Sequence, residues 1–268
     1  MSQVDPITEP EVWNTIAEPY DAHLFGKLST LTDAVVARVS PAKRVLEIAA
    51  GSGNLTFSLA RAVEHVVAID FAERMIARLE ARLAEQSVRN VEARVMDGHA
   101  LAFDDASFDA AVSMAGVFLF RDRARALKEM VRVVRPSGVI VSTSWSIAEK
   151  NAVLGVGLTA MRDALPQLPT PRGPLPTQQP DICAAELRDA GARDVTASVL
   201  EEDHRFESVD AYWALFTTAS PPFVILRKKL GDAVFDDALA RARKSLVERF
   251  GAGPFELRAS AIVTAGVR

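Results

Sequence analysis

VLEIAAGSGNLT (45–56) is the stretch that decides the fold. RVLEIAAG (44–51) reads as a short buried strand running into a glycine turn, and Asn54 to Ala62 places Leu55, Leu59 and Ala62 at helical spacing. Small residues at such a bend let the backbone approach a ligand closely. Gly51 and Gly53 are free to take positive φ without a Cβ clash. A helix starting just beyond the bend offers unpaired N–H groups to a carboxylate or phosphate.

The same rhythm continues outward. HVVAID (65–70) is a second short apolar run ending in an acid, followed by a helix from Ala72 to Ala84 with Met75, Ile76, Leu79 and Leu83 on one stripe. VEARV (91–95) and FDAAVSM (108–114) read as strands three and four. Arg123 to Val134 reads as an amphipathic helix, Pro136-Ser137-Gly138 as a turn, and VIVSTSW (139–145) as strand five. Strands alternating with helices of this length predict βαβ units, a largely parallel sheet and right-handed crossovers that cover both faces. Upstream, Leu28, Leu31, Val35 and Val39 predict a helix over Gly26 to Val39, ended by Pro41. Downstream, helices are expected over 152–165, 181–190, 208–218 and 232–250, and strands over DVTASVL (194–200) and FELRASAIV (255–263). Six prolines between 166 and 180 suggest an exposed loop or lid. The expectation is an α/β doubly wound, seven-stranded, mostly parallel sheet, its last strand antiparallel, with a small helical cap. Its divisions are an N-terminal helical cap (1–42), a cofactor-binding core (43–146), a lid or insert (147–192) and a C-terminal part of the sheet with substrate-cap helices (193–268).

Composition narrows the function classes. The 268 residues are 49% hydrophobic and 25% charged with a net charge of −4, which suits an ordinary globular chain and argues against a dedicated nucleic-acid binder. The single cysteine, Cys183, excludes a disulfide framework within the chain and a four-cysteine zinc site. His23, His65, His99 and His204 are far apart in sequence with no His-x-x-x-His pair, so no metal site is expected. Asp5, Glu9 and Glu11 stand where a signal peptide would carry positive charge. No stretch approaches the roughly 18 uninterrupted apolar residues of a membrane span. A cytoplasmic monomer or homodimer, acting on a small molecule, is the expectation.

Two cofactors compete for the glycine turn. A dinucleotide asks for glycines at i, i+2 and i+5; Gly51 and Gly53 supply the first two, but Thr56 stands at the third. S-adenosylmethionine favours an acid in the strand just ahead of the turn, where Glu47 sits between Leu46 and Ile48. An acid buried there is costly unless something pairs with it. Asp70, ending the second strand, suits ribose hydroxyls in either cofactor. An NAD(P)-dependent oxidoreductase therefore stands as one alternative, and a non-catalytic S-adenosylmethionine-binding protein on the same fold as another.

VLEIAAGSG, VVAIDFAERM, DGHALAFDDASFD (97–109) and RVVRPSGVIVSTSW (132–145), in this order, resemble the class I S-adenosylmethionine-dependent methyltransferases over about residues 12–145. The resemblance is strongest to the small-molecule type related to the ubiquinone- and menaquinone-biosynthesis methyltransferases. It implies that Glu47 orients the methionine end of S-adenosyl-L-methionine, that Gly51, Gly53 and Asn54 shape the turn, and that Ala49 replaces the motif's first glycine. By the same likeness Asp70 takes the ribose, Phe71 and Met75 flank the adenine, and Asp97 takes the adenine amino group beside Gly98 and His99. Met114 and Ala115 match positions near the methionyl amine, and Tyr20-Asp21 resembles a pair that relatives carry close to the cofactor. Phe118 and Phe120 stand where relatives often have polar residues or histidine, which implies an apolar or aromatic acceptor methylated at O, C or N without a metal. The acceptor pocket is expected to draw on Phe25, Phe118, Trp145, Tyr212, Trp213 and Phe216. A base, where the acceptor needs one, is to be sought among Tyr20, His23, His99, His204 and Tyr212, none of which the sequence singles out.

Overall fold

The computed structural model describes residues 5–24, 28–147, 149–167 and 176–268. Seven strands, β1 (Arg44–Ile48), β2 (His65–Asp70), β3 (Val91–Val95), β4 (Phe108–Ser113), β5 (Val134–Trp145), β6 (Arg193–Phe206) and β7 (Phe255–Val267), form one sheet in the order β3-β2-β1-β4-β5-β7-β6. The first five pair in parallel, and β7 runs antiparallel to both β5 and β6. This is the doubly wound arrangement the alternating pattern predicts.

The strands are apolar on both sides because both sides are covered. Val45, Val66, Ala68, Ala110 and Val112 face α2 (Ser29–Val39), α3 (Thr56–Ala62) and α4 (Glu73–Glu85). Leu46, Ile48, Val67, Ile69 and Ala111 face α5 (Arg123–Val133) and α7 (Pro180–Asp189). A separate apolar cluster joins α6 (Ala152–Ala164), α8 (Val209–Ala219), α9 (Pro221–Leu230) and α10 (Asp232–Phe250) to Phe255 and Leu257 of β7. Helix α1 (Pro10–Leu24) lies against α4 through Ile16, Ala17, Ala72 and Met75, with Val224 of α9 packed beside them.

Several boundaries differ from the sequence expectation. Pro136-Ser137-Gly138 does not precede β5 but lies inside it: the register against β4 shifts there, Ser137 takes φ +66°, and its N–H donates to the Arg268 carbonyl at 3.0 Å. Strands β6 and β7 run several residues beyond the expected ends, because each satisfies the other's backbone through an antiparallel ladder from Arg193–Val267 to Phe206–Phe255. Helices α1 and α9 are additional to those expected. Both open on proline, which suits a first helical turn, and α1 also carries Pro19 in its interior. The proline-rich 166–180 segment falls largely outside the described residues. No helix among the described residues is long and apolar enough to cross a membrane.

Candidate active site

The strand order reverses between β1 and β4, and in such sheets a crevice opens beyond the strands' carboxyl ends. Here it is a cleft with an empty volume of about 940 Å³, bounded by the tips of β1, β2 and β4, by α1 and by the 3₁₀ turns at Pro6–Thr8 and Val117–Leu119.

Glu47 and Asp70 sit at the tips of neighbouring strands and are 2% and 6% exposed. The Glu47 carboxylate accepts a hydrogen bond from Thr56 Oγ1 at 2.6 Å. Its pKa is pushed up to about 8, chiefly by burial, against the Thr56 bond and with a further push from Asp70. Asp70 accepts from the backbone N–H of Gly51 through one oxygen and of Ala72 through the other, both at 2.9 Å. Burial raises its pKa to about 6 against those stabilising amides. The second strand's acid thus clamps the turn that follows the first. The turn itself is conformationally demanding: Ala49, Gly51 and Gly53 all take positive φ, at +57°, +56° and +103°. Gly53 does not line the cleft; a Cβ there would meet Leu79 Cδ1 at 2.7 Å, so its bareness serves the packing of α4 and α3. Helix α3 begins only at Thr56, so turn residues 51–55 stand between β1 and its first turn.

The other walls carry the remaining expected residues. Phe71 and Met75 line the cleft beside Asp70, and Met114 and Ala115 line it from the end of β4. Asn54 faces it from the turn. Asp97 accepts from the His99 backbone N–H at 2.9 Å and meets His99 Nδ1 at 2.7 Å. Burial works to raise the Asp97 pKa, but these His99 contacts outweigh it and hold the carboxyl below its ordinary value. The His99 ring lies 4.7 Å from that of Phe120, and Phe120 in turn covers Gly98, where a Cβ would stand 2.7 Å from its ring. Tyr20 enters from α1; burial, helped by Asp70, raises its phenol pKa to about 12. Its neighbour Asp21 points away from the cleft and fastens α1 to α4 through Arg78 at 2.5 Å and Arg82 at 2.8 Å.

Several expected residues lie elsewhere. Tyr212, Trp213 and Phe216 are buried in the α6–α8–α9–α10 cluster, where an amphipathic helix must put its aromatic face, and the Tyr212 hydroxyl donates to the Val153 carbonyl at 2.8 Å. Burial raises the Tyr212 pKa further. Trp145 packs against the core beneath α2 and α3. Phe118 borders a second, smaller cavity between α5 and α7. His204 lies on β6 with Glu202 at 3.6 Å, and His23 at the end of α1 is not among the cleft residues. Phe25 falls outside the described residues. Ile7, Thr8, Leu28, Met96, Leu119 and Arg121 also line the cleft and escaped the sequence reading. The hint at this wall in the sequence was Phe118 and Phe120, apolar where relatives often carry polar residues or histidine, and of the two it is Phe120 that lines the cleft. Among the described residues no three His, Cys, Asp or Glu side chains gather as a metal site.

Residues 45–138 match the family model described as a methyltransferase domain. An uncharacterised Mycobacterium tuberculosis protein is 29% identical over 73% of this chain and 70% of its own length. The demethylmenaquinone methyltransferase of Clavibacter sepedonicus is 39% identical over 50% of this chain and 52% of its own. Among solved structures, YcgJ of Bacillus subtilis superimposes with a TM-score of 0.58 at 16% identity, over 89% of this chain and 97% of that one. The Haemonchus contortus phosphoethanolamine N-methyltransferase 2 complex with S-adenosylhomocysteine gives 0.60 at 14% identity, over 98% of this chain and 60% of that one. Residues 45–138 thus form a methyltransferase domain, and the chain is similar to the demethylmenaquinone methyltransferases. It is a methyltransferase, and its cofactor is S-adenosyl-L-methionine.

Proposed function

We propose that the cleft holds S-adenosyl-L-methionine across Glu47 and Asp70 and presents its methyl group to a small, apolar or aromatic acceptor. The observation that carries this reading is the pair of buried carboxyls at adjoining strand tips, facing a cleft whose opposite wall is apolar. Two acids kept out of water at such a cost call for a ligand rich in donors and positive charge, and an ammonium, ribose hydroxyls and a sulfonium meet that demand. Glu47 holds the methionyl end, Asp70 the ribose, Phe71 and Met75 the adenine faces, and Asp97 the adenine amino group. Met114, Ala115 and the backbone of Ala49 to Gly51 border the methionyl part. The cofactor supplies an electrophilic methyl group.

The protein's task is then alignment and exclusion of water. Holding a nucleophile in line at about 3–3.5 Å can remove roughly 7–11 kcal/mol from the barrier. Ile7, Trp13, Leu28, Leu119 and Phe120 form the apolar wall suited to a ring or chain. Of the five proton-transfer candidates, Tyr20 and His99 line the cleft. With a pKa near 12, Tyr20 stays protonated at neutral pH and acts as a hydrogen-bond donor. Where the acceptor must lose a proton, His99 is the cleft residue to take it: Asp97 engages Nδ1 at 2.7 Å, and Nε2 receives the Asp122 N–H only at a long 3.4 Å, a contact that must give way for Nε2 to act.

Calorimetry with S-adenosylmethionine, S-adenosylhomocysteine and NAD, followed by an acceptor panel of phenols, quinols and small carboxylic acids, tests the reading. Heat with the first two ligands and methylation of the apolar members are expected. Turnover confined to small charged acids would overturn the acceptor class. Cofactor binding with no turnover on any acceptor would favour a non-catalytic role.

A further inference from the structure

Ala49 is a non-glycine residue in the left-handed region, at the bend where β1 delivers the cofactor turn. That conformation strains an alanine against its own carbonyl, and its Cβ must also find room among its neighbours. Here it goes toward Gly116: a Cβ built on Gly116 would lie 2.4 Å from the Ala49 methyl carbon and 2.9 Å from Ser113 Oγ. Carbon atoms settle at about 3.5–4.0 Å, so the two positions hold one methyl between them.

We infer that Gly116 is a positioning residue for cofactor binding, because it takes up the Ala49 methyl and so leaves the turn free to meet Asp70. The inference rests on the cofactor reading proposed above. The 113–117 bend cannot retreat from a larger residue. Ala115 N–H donates to the buried Thr143 hydroxyl at 2.9 Å, and Val117 N–H to the buried Ser113 hydroxyl at 3.1 Å. Ala115 itself takes φ +53°, so this bend is as constrained as the one it faces. A clash at 116 is therefore passed to Ala49. Its chain neighbours Ala50 and Gly51 hold the turn through N–H bonds to the Ile69 carbonyl and to Asp70, each 2.9 Å. Moving Ala49 draws the Gly51 amide off Asp70 and turns the ribose acid out of place.

The test is a four-protein cycle: wild type, Ala49→Gly, Gly116→Ala and the double variant. Each is titrated with S-adenosylhomocysteine by calorimetry and melted with and without it. Gly116→Ala weakens binding at least about tenfold relative to wild type, whereas the same substitution made in Ala49→Gly weakens it by no more than about threefold relative to Ala49→Gly, the remainder coming from the 2.9 Å contact with Ser113 Oγ that Ala49→Gly does not relieve. Wild-type affinity in Gly116→Ala, or a loss as large in the Ala49→Gly background as in wild type, overturns the inference. Should Gly116→Ala fail to fold, recovery of a folded, ligand-binding double variant supports it, and a double variant that stays unfolded overturns it. A wild type that binds no S-adenosylhomocysteine instead removes the proposed function, and this inference with it.

Discussion

Glu47 and Tyr212 are buried almost equally, at 2% and 0% exposure, yet they do opposite work. Tyr212 sits inside the α6–α8–α9–α10 cluster, surrounded by Phe206, Trp213, Phe216 and Phe255, with its hydroxyl satisfied by a backbone carbonyl. Glu47 sits at an open cleft with a carboxyl that burial forces to about pH 8 and that one hydroxyl bond does not offset. A polar group buried with its partner in place contributes to stability. A polar group buried beside a cleft, short of partners, marks a place where a ligand supplies the rest.

Four measurements would break or sharpen that contrast. The largest effect belongs to the aromatic cluster: Phe216→Ala should lower unfolding free energy by about 3–5 kcal/mol in denaturant melts. The folded protein should still bind S-adenosylhomocysteine with wild-type affinity, and a loss of affinity would move α8 into the site. Next, Asp70→Ala should weaken S-adenosylhomocysteine by well over tenfold, as the loss of a charge-assisted contact of about 1.5–3 kcal/mol implies, with the fold intact by circular dichroism. Unchanged affinity would remove the ribose assignment.

The third measurement is pH dependence. Glu47 and Asp70 have pKa values raised by burial, to about 8 and about 6, so the free protein holds protons that a cationic ligand must displace. Affinity for S-adenosylmethionine should therefore rise with pH between 6 and 7.5, by up to about tenfold per unit, with proton release detectable by calorimetry in buffers of different ionisation enthalpy. The same shifts act on folding with the opposite trend. The contribution of these two carboxyls to the free protein's stability is fully present below the ordinary carboxyl range and is lost as pH climbs through 6 and then 8. A flat affinity profile would show that neither group meets the ligand's charge. The smallest effect is expected at Arg121, which pairs with Glu9 at 2.9 Å across the mouth of the cleft. Both partners are largely exposed, so Arg121→Ala should change stability by less than about 1 kcal/mol, and a larger change would make that pair part of the closed site.

The helix-strand alternation made the sheet legible because buried parallel strands must be short apolar runs and their crossovers amphipathic. The glycine turn was legible for a related reason: an acid between Leu46 and Ile48 in a buried strand is costly unless something pairs with it, so Glu47 stood out. The wall built by Ile7, Thr8 and Leu28 was not legible, since Pro6 to Thr8 is a single 3₁₀ turn with no periodicity to read. Helix α1 was hidden as well, because Pro10 and Pro19 interrupt the usual signals, although its Asp21 is held by two arginines of α4. The aromatics of α8 read the same whether they fill a core or line a pocket.

By itself, then, the order of residues determined the layered sheet, the bend after β1 and the two acids at its strand tips, because those features follow from local spacing and from the cost of burying charge. Only the tertiary structure decided which aromatic residues face the cleft, that Asp70 grips the Gly51 amide, and that Ala49 and Gly116 share room for one methyl. These depend on which distant segments come to lie across from one another, and no periodicity along a single segment encodes that.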